Sequence, residues 1–230
     1  MDRKILLKAD NIQIKIDDKI ILDNTTFDIK TGEIVSIIGE NGVGKTTLLR
    51  AILGEIKINS GKLELNTDKI SYVPQKLNID KTLPITSQDF LKIFNNSLEK
   101  NYIKKISEKY NYEDLLEKKL SNLSGGEFQK ILILNALISR PELVLMDEPT
   151  ASIDETGQEK FYNILKNIVK ENKNVSFVIV SHNREKVFTY SDKILHLHKS
   201  CSCINYPDKI LDKDSELSHY NHIHDHKHID

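Results

Sequence analysis

The stretch "GENGVGKTT", Gly39 to Thr47, decides the fold. It fits the pattern G-x-x-x-x-G-K-[ST] and stands where that pattern has physical meaning. Before it runs "EIVSIIG" (33–39), a nearly continuous apolar segment ending in glycine, as expected of a parallel strand buried on both faces. After it comes "KTTLLRAILGE" (45–55), a helical pattern stopped at Gly54. Gly39, Gly42 and Gly44 free the backbone to turn its N–H groups inward, and Glu40, Asn41 and Val43 complete the loop as an anion nest. The helix start adds partial positive charge. In such a cradle Lys45 reaches the β- and γ-phosphates of a nucleotide, Thr46 ligates Mg²⁺, and Thr47 donates toward the α-phosphate. The bland alternative is a chance glycine turn. The strand before and the helix after argue against it.

A second segment extends the chemistry. In "ELVLMDEP" (142–149) four apolar residues lead into Asp147 and Glu148. Asp147, at the strand end, is placed to hold Mg²⁺. Glu148, one residue on, points to the other side, where it can orient an attacking water. Alone, this is a strand ending in surface acids. Beside a phosphate loop it is the second half of a phosphoryl-transfer site, which needs positioning and charge stabilisation more than covalent help.

Further outward, residues 5–29 alternate apolar and polar in two blocks around Asp17 and Asp18, and read as a β-hairpin. "GKLELN" (61–66), "KISYVPQ" (69–75) and "VSFVIVSH" (175–182) read as strands. "EFQKILILNALIS" (127–139) and "TGQEKFYNILKNIVKEN" (156–172) read as helices. From Lys76 to Leu123 the character changes: Leu98, Tyr102, Ile106 and Tyr110 recur every fourth residue among charges, an amphipathic helix within a helical insertion. Alternating strand and helix implies an α/β fold with a mostly parallel sheet and right-handed crossovers.

Composition narrows the classes. The chain has 230 residues with formal net charge −1, so no global field favours nucleic acid, and no nucleic-acid partner is expected. Cys201 and Cys203 are too close for a disulfide framework and too few for a four-cysteine zinc site, and fit a reducing compartment. No signal-peptide pattern opens the chain, and its longest apolar run, "ILILNALI" (131–138), is too short to span a bilayer.

"LSGGEFQ" (123–129) lies between the two phosphate-site segments and resembles the signature of the ATP-binding-cassette (ABC) ATPases. "ASID" (151–154) resembles their D-loop, His182 their switch histidine, and Gln75 their Q-loop glutamine. The motifs run in the family's order over roughly residues 5 to 200. The resemblance implies a P-loop NTPase with an N-terminal antiparallel β-subdomain and a helical subdomain inserted at about 76–130, together spanning residues 1–212. It implies ATP and Mg²⁺, with Gln75, Glu148 and His182 catalytic, and Thr46, Gln75 and Asp147 at the metal. Ser124, Gly125 and Gly126 form a second anion nest that, in the family, caps the γ-phosphate of ATP held by a partner in a head-to-tail dimer. Three positions depart from the pattern: Glu127 where glutamine is common, Asn183 where aspartate is frequent, and Ile16 near the place of the adenine-stacking aromatic. An isoleucine there offers apolar contact without a π-face.

"YVPQKLNIDKTLPIT" (72–86), "LSGGE", "GQEKFYNIL" (157–165) and "ILHLHKSCSCI" (194–204) resemble the cassette subunits of bacterial zinc uptake systems. This implies a subunit peripheral to the cytoplasmic face of the inner or plasma membrane, likewise paired, working with a separate permease and, indirectly, an extracytoplasmic metal-binding protein. Manganese or iron as cargo, and a soluble cassette outside transport, are the alternatives. Residues 213–230 read as a flexible tail carrying His219, His222, His224, His226 and His228, an alternating set able to chelate Zn²⁺. A solvated polar tail is the bland reading.

Overall fold

The computed structural model describes residues 3–75, 84–94, 100–151, 153–198 and 202–205. Two long strands, β1 (Ile5–Ile16) and β2 (Lys19–Lys30), pair antiparallel across Asp17 and Asp18. Both aspartates have positive φ, 47° and 62°, the backbone a two-residue hairpin of matching twist requires. A later strand, β4 (Ser60–Leu65), joins the other edge of β1 and completes a three-stranded sheet.

The second sheet holds β3 (Ile34–Ile38), β5 (Ile70–Val73), β6 (Leu143–Asp147), β7 (Ser176–Val180), β8 (Lys193–Leu197) and β9 (Ser202–Asn205). Its order is β5-β6-β7-β3-β8-β9, parallel except for β9, which runs antiparallel to β8. Every residue of β3, β6 and β7 is buried, so the apolar runs in the sequence are the two-faced strands of a covered parallel sheet. The α/β expectation and the hairpin hold.

Strand alternation assigns the two faces. Val144, Met146, Phe177 and Ile179 pack with the helical half of the molecule, including α4 (Gly125–Ile138) and α5 (Glu155–Glu171). Leu143, Leu145, Val178 and Val180 pack with β1, β2 and α1 (Lys45–Ile52) on the opposite face. Asp147 therefore falls on the α1 side by the same period of two that places Leu143 and Leu145.

The helical insertion contains α2 (Ser87–Phe94) and α3 (Lys100–Lys109) before α4. Residues 76–83 and Leu98 lie outside the described residues. In α3 the fully buried positions are Ile103 and Ser107, with Tyr102 and Ile106 half-buried beside them. The buried stripe is thus centred one position beyond the one that Tyr102, Ile106 and Tyr110 suggest. A short helix, α6 (Arg184–Tyr190), follows β7. Among the described residues no helix is long and apolar enough to cross a membrane.

Candidate active site

The glycine loop leaves β3 at Ile38 and enters α1 at Lys45. Gly44 has φ 107°, and a Cβ there would stand 2.9 Å from Ile21 Cγ2 and 3.0 Å from Leu22 Cδ2. The loop can lie this close to β2 only without a side chain. A Cβ on Gly39 would stand 2.6 Å from the carbonyl oxygen of Leu197, so β8 imposes the same restriction at the loop's start. Lys45 is buried, and its ammonium donates to the carbonyls of Gly39 and Glu40, each at 2.9 Å. Burial lowers its pKa, while Glu148 and Asp147 pull it back up. The cavity beside it is lined by Ile21, Asn41, Gly42, Gly44, Lys45, Thr46, Thr47, Gln75, Glu148 and His182. Of these, Ile21 was not foreshadowed by the sequence. Ile16 is not among the lining residues and is exposed.

Asp147 is 3% exposed. Its Oδ2 accepts from Thr46 Oγ1 at 2.8 Å, but its Oδ1 is buried with no hydrogen-bond partner. Burial pushes its pKa up, with Thr46 partly opposing. A buried carboxylate oxygen without a partner is costly unless a cation meets it. A hydroxyl and a carboxylate side by side suit Mg²⁺, which takes one or two carboxylates plus phosphate and water oxygens. The residues present therefore fit the ion.

Glu148 follows with φ 46°, a left-handed conformation uncommon for a side-chain-bearing residue and worth of order 1–3 kcal/mol of strain. Its amide donates to Val180 O at 3.1 Å, which fixes the turn against β7. The turn carries the carboxylate to Gln75 and His182, whereas Asp147 meets Thr46. There Oε2 accepts from Gln75 Nε2 at 2.5 Å, and Oε1 lies 2.6 Å from His182 Nε2. Three residues named from separate motifs meet in one clamp. Gln75 stands two residues past β5 and His182 two past β7, so adjacent strands deliver both to the end of β6.

The switch segment has its own supports. Tyr162 of α5 is fully buried and donates from its hydroxyl to Ser181 Oγ at 3.0 Å. One turn earlier, Gln158 Nε2 donates to the carbonyls of Ile153 at 3.1 Å and Thr150 at 3.4 Å, while its Oε1 accepts from Asn183 Nδ2 at 2.9 Å. Asn183 Oδ1 caps α6 by accepting from Lys186 N. An amide at 183 makes both contacts at once. An aspartate would keep the cap and lose the donation to Gln158. Sequence reasoning did not single out Gln158, Tyr162 or Ser181; the i, i+4 spacing of Gln158 and Tyr162 was the available signal.

Ser124 caps α4. Its Oγ accepts from Glu127 N at 3.2 Å, and Glu127 Oε2 accepts from Ser124 N at 2.9 Å, a reciprocal capping box. Ser124, Gly125 and Gly126 do not line the phosphate cavity. They line a separate one with Ile153, Asp154, Thr156, Gly157 and Lys160. The five tail histidines, Cys201 and Ser152 lie outside the described residues, as do residues 213–230 as a whole.

The comparisons with known proteins agree with this geometry. The ABC transporter family model matches residues 22–151. The chain is 36% identical over 233 residues, 98% of its own length and all of the relative's, to the zinc import ATP-binding protein ZnuC of Rickettsia bellii (strain RML369-C). It is 39% identical over 211 residues, covering 91% of this chain and 90% of the relative, to the protein of the same name from Wigglesworthia glossinidia brevipalpis. In fold it is similar to the ADP conformation of an ATP-binding cassette of an ABC transporter, with TM-score 0.83, 21% identity, and 95% of this chain and 99% of that one covered. A nucleotide-free cassette superposes with TM-score 0.80 at 20% identity, over 94% and 98% of the two chains. With the phosphate loop and the glutamate clamp in one cavity, and the buried aspartate bonded to Thr46 beside it, the chain belongs to the ABC transporter family, as one of its ATP-hydrolysing cassettes.

Proposed function

We propose that this cassette drives zinc import through a separate membrane permease, working as a pair of identical subunits. The observation that carries the catalytic part is the Glu148 carboxylate, held between Gln75 and His182 at the mouth of the phosphate loop. Zinc as cargo is supported by the relatives, which carry zinc import in their names and match nearly the whole chain.

In this reading the Lys45 ammonium exchanges the carbonyls of Gly39 and Glu40 for phosphate oxygens of ATP. The backbone of residues 39–44 and the hydroxyl of Thr47 line the phosphates. Thr46 and Asp147 would hold Mg²⁺, which would supply positive charge beside the phosphates. Glu148 accepts a hydrogen bond from the attacking water and orients it in line with the γ-phosphorus. Each of its oxygens now has one partner and keeps an acceptor site for the water, and loss of the Gln75 contact would widen the access. Gln75 stands at the entry to the helical insertion, so movement of that insertion is the natural release. His182 then turns to the γ-phosphate. The signature residues Ser124, Gly125 and Gly126 close the site from the second subunit. We assign residues 1–212 to the cassette and 213–230 to a histidine-bearing tail that binds Zn²⁺. The permease docks on the insertion, which puts the subunit at the cytoplasmic face of the membrane.

Glu148→Gln keeps the shape and the contact to His182 and removes the acceptor charge. It should bind ATP with near-native affinity while steady-state turnover in the assembled complex falls at least about 100-fold. Turnover close to native would overturn the assignment of Glu148. For the cargo, cells lacking the gene should lose zinc accumulation and grow normally again only with added zinc. Rescue by manganese or iron would move the cargo to those metals, and co-purification with ribosomes rather than a permease would remove the transport role.

A further inference from the structure

The phosphate site occupies the C-terminal ends of the parallel strands. At their N-terminal ends lies a third open cleft, of about 790 Å³, that no step of the proposed ATP cycle uses. Its charged lining is Lys4, Lys69, Lys105, Lys109, Arg140 and Glu142. That is five cations against one carboxylate, in a chain whose net charge is −1. Glu142 pairs with Lys4 at 3.0 Å, and Lys109 reaches only to Glu171 at 3.9 Å. Lys69, Lys105 and Arg140 make no ion pair within 4 Å among the described residues, although Lys69 lies near enough to Glu142 to help Lys4 hold its pKa down. A concave wall of one sign focuses potential and concentrates counter-ions.

The ordinary reading of such a cluster is a solvated helix face. The placement speaks against it. A solvated face draws its charges from one element, whereas these come from four separated places: ahead of β1, ahead of β5, along α3, and just past α4. Arg140 is also set in advance. It has φ 53° at the end of α4, its Nε donates to Tyr102 Oη at 2.9 Å, and its guanidinium lies 4.7 Å from the centre of that ring. With Nε tied back, the outer edge of the fork is left for a bidentate anion. Lys109 is likewise held over the Tyr110 ring, at 5.1 Å.

We propose that this cleft binds a phosphate-rich anion bearing two or more phosphoryl groups, bridging α3 to the ends of β5 and β6. Arg140 supplies the bidentate contact, and Lys69 and Lys105 the charge on opposite walls. The chemistry is shared by a soluble oligophosphate and by clustered anionic lipid headgroups, and the test separates them. It does not depend on zinc being the cargo.

The full chain is first saturated with Mg·ADP, so that the glycine loop is filled. Inorganic tripolyphosphate is then titrated by calorimetry. One further site is expected, with Kd below about 100 µM and weakening as salt rises. Lys69→Glu with Lys105→Glu should raise that Kd more than tenfold and leave ADP affinity and the melting temperature near native. Arg140→Lys, which keeps charge and loses the fork, should weaken binding several-fold. Lys8→Glu with Lys57→Glu makes the same charge change away from the cleft and should have little effect. If the double reversal does not fold, Lys69→Gln with Lys105→Gln carries the same expectation. In the second arm, vesicles of phosphatidylglycerol and of phosphatidylcholine are sedimented with the protein. Retention by the former alone, lost in the double variant, names the headgroup as the source. Absence of binding in both arms, or binding that both pairs of substitutions weaken equally, overturns the site.

Discussion

The Asp147 carboxylate has one oxygen satisfied by Thr46 and one buried without a partner. That makes it a place where function is held at a cost to stability. Its pKa is raised in the folded chain, so between its unfolded and folded values the native state holds more protons. Stability of the nucleotide-free protein should therefore fall as pH rises through that window. Asp147→Asn keeps an acceptor for Thr46 and removes the buried charge. It should melt at the same temperature or higher, and lose Mg²⁺-dependent turnover. Calorimetry with an ATPase assay checks both, and a large drop in melting temperature would mean that the charge is already compensated. At this scale the sequence was most informative. The glycine loop, Lys45, Thr46, Asp147 and Glu148 follow from local pattern and strand alternation alone. The clamp of Glu148 by Gln75 and His182 does not, because those partners lie 73 and 34 residues away and meet only through strand order.

The helix α4 shows how an element uses its departure from a family pattern. Glu127 closes the capping box with Ser124 and also pairs with Lys118 at 2.7 Å. Lys118 first, then the Ser124 bonds, hold its pKa down at about 2. The folded value lies below the unfolded one, so this stabilisation is complete above the ordinary glutamate range and is lost as pH falls toward 2. A glutamine at 127 would keep the bond from Ser124 N and drop the charge. Glu127→Gln should thus lose less stability than the native chain between pH 6 and pH 3, as urea midpoints would show. Equal slopes would mean that the carboxylate is not held in the cap. Element boundaries were legible to within a few residues wherever an apolar run or a cap marked them. The stripe of α3 was misplaced by one position because tyrosines, which bury only part of their length, were counted as its centre. Asn183 stood out only as a departure from the family pattern, and its pairing with Gln158, 25 residues away, has no local signature in sequence.

For the whole molecule, the decisive fact is that the signature at the start of α4 and the glycine loop open into different cavities. A single copy cannot enclose one phosphate chain with both nests. With hydrolysis blocked by Glu148→Gln, ATP should convert the cassette from one copy to two, and Ser124→Arg should prevent it. Light scattering with and without ATP measures this; a monomer under saturating ATP would require a different lid for the site. The joint between the two sheets bears on how such closure works. Lys193 of β8 is buried between Asp28 of β2, at 2.9 Å, and Glu33, at 3.1 Å, and Arg3 reaches Glu33 from the surface. Three backbone segments meet at Lys193 and Glu33, which are buried, while Asp28 and Arg3 keep contact with water. In mechanical terms this joint ties β2, the turn ahead of β3 and β8 together beside the strand that leads into the glycine loop. In the proposed cycle the compliant part is then the insertion that follows Gln75, and hydrolysis has one lever to act on.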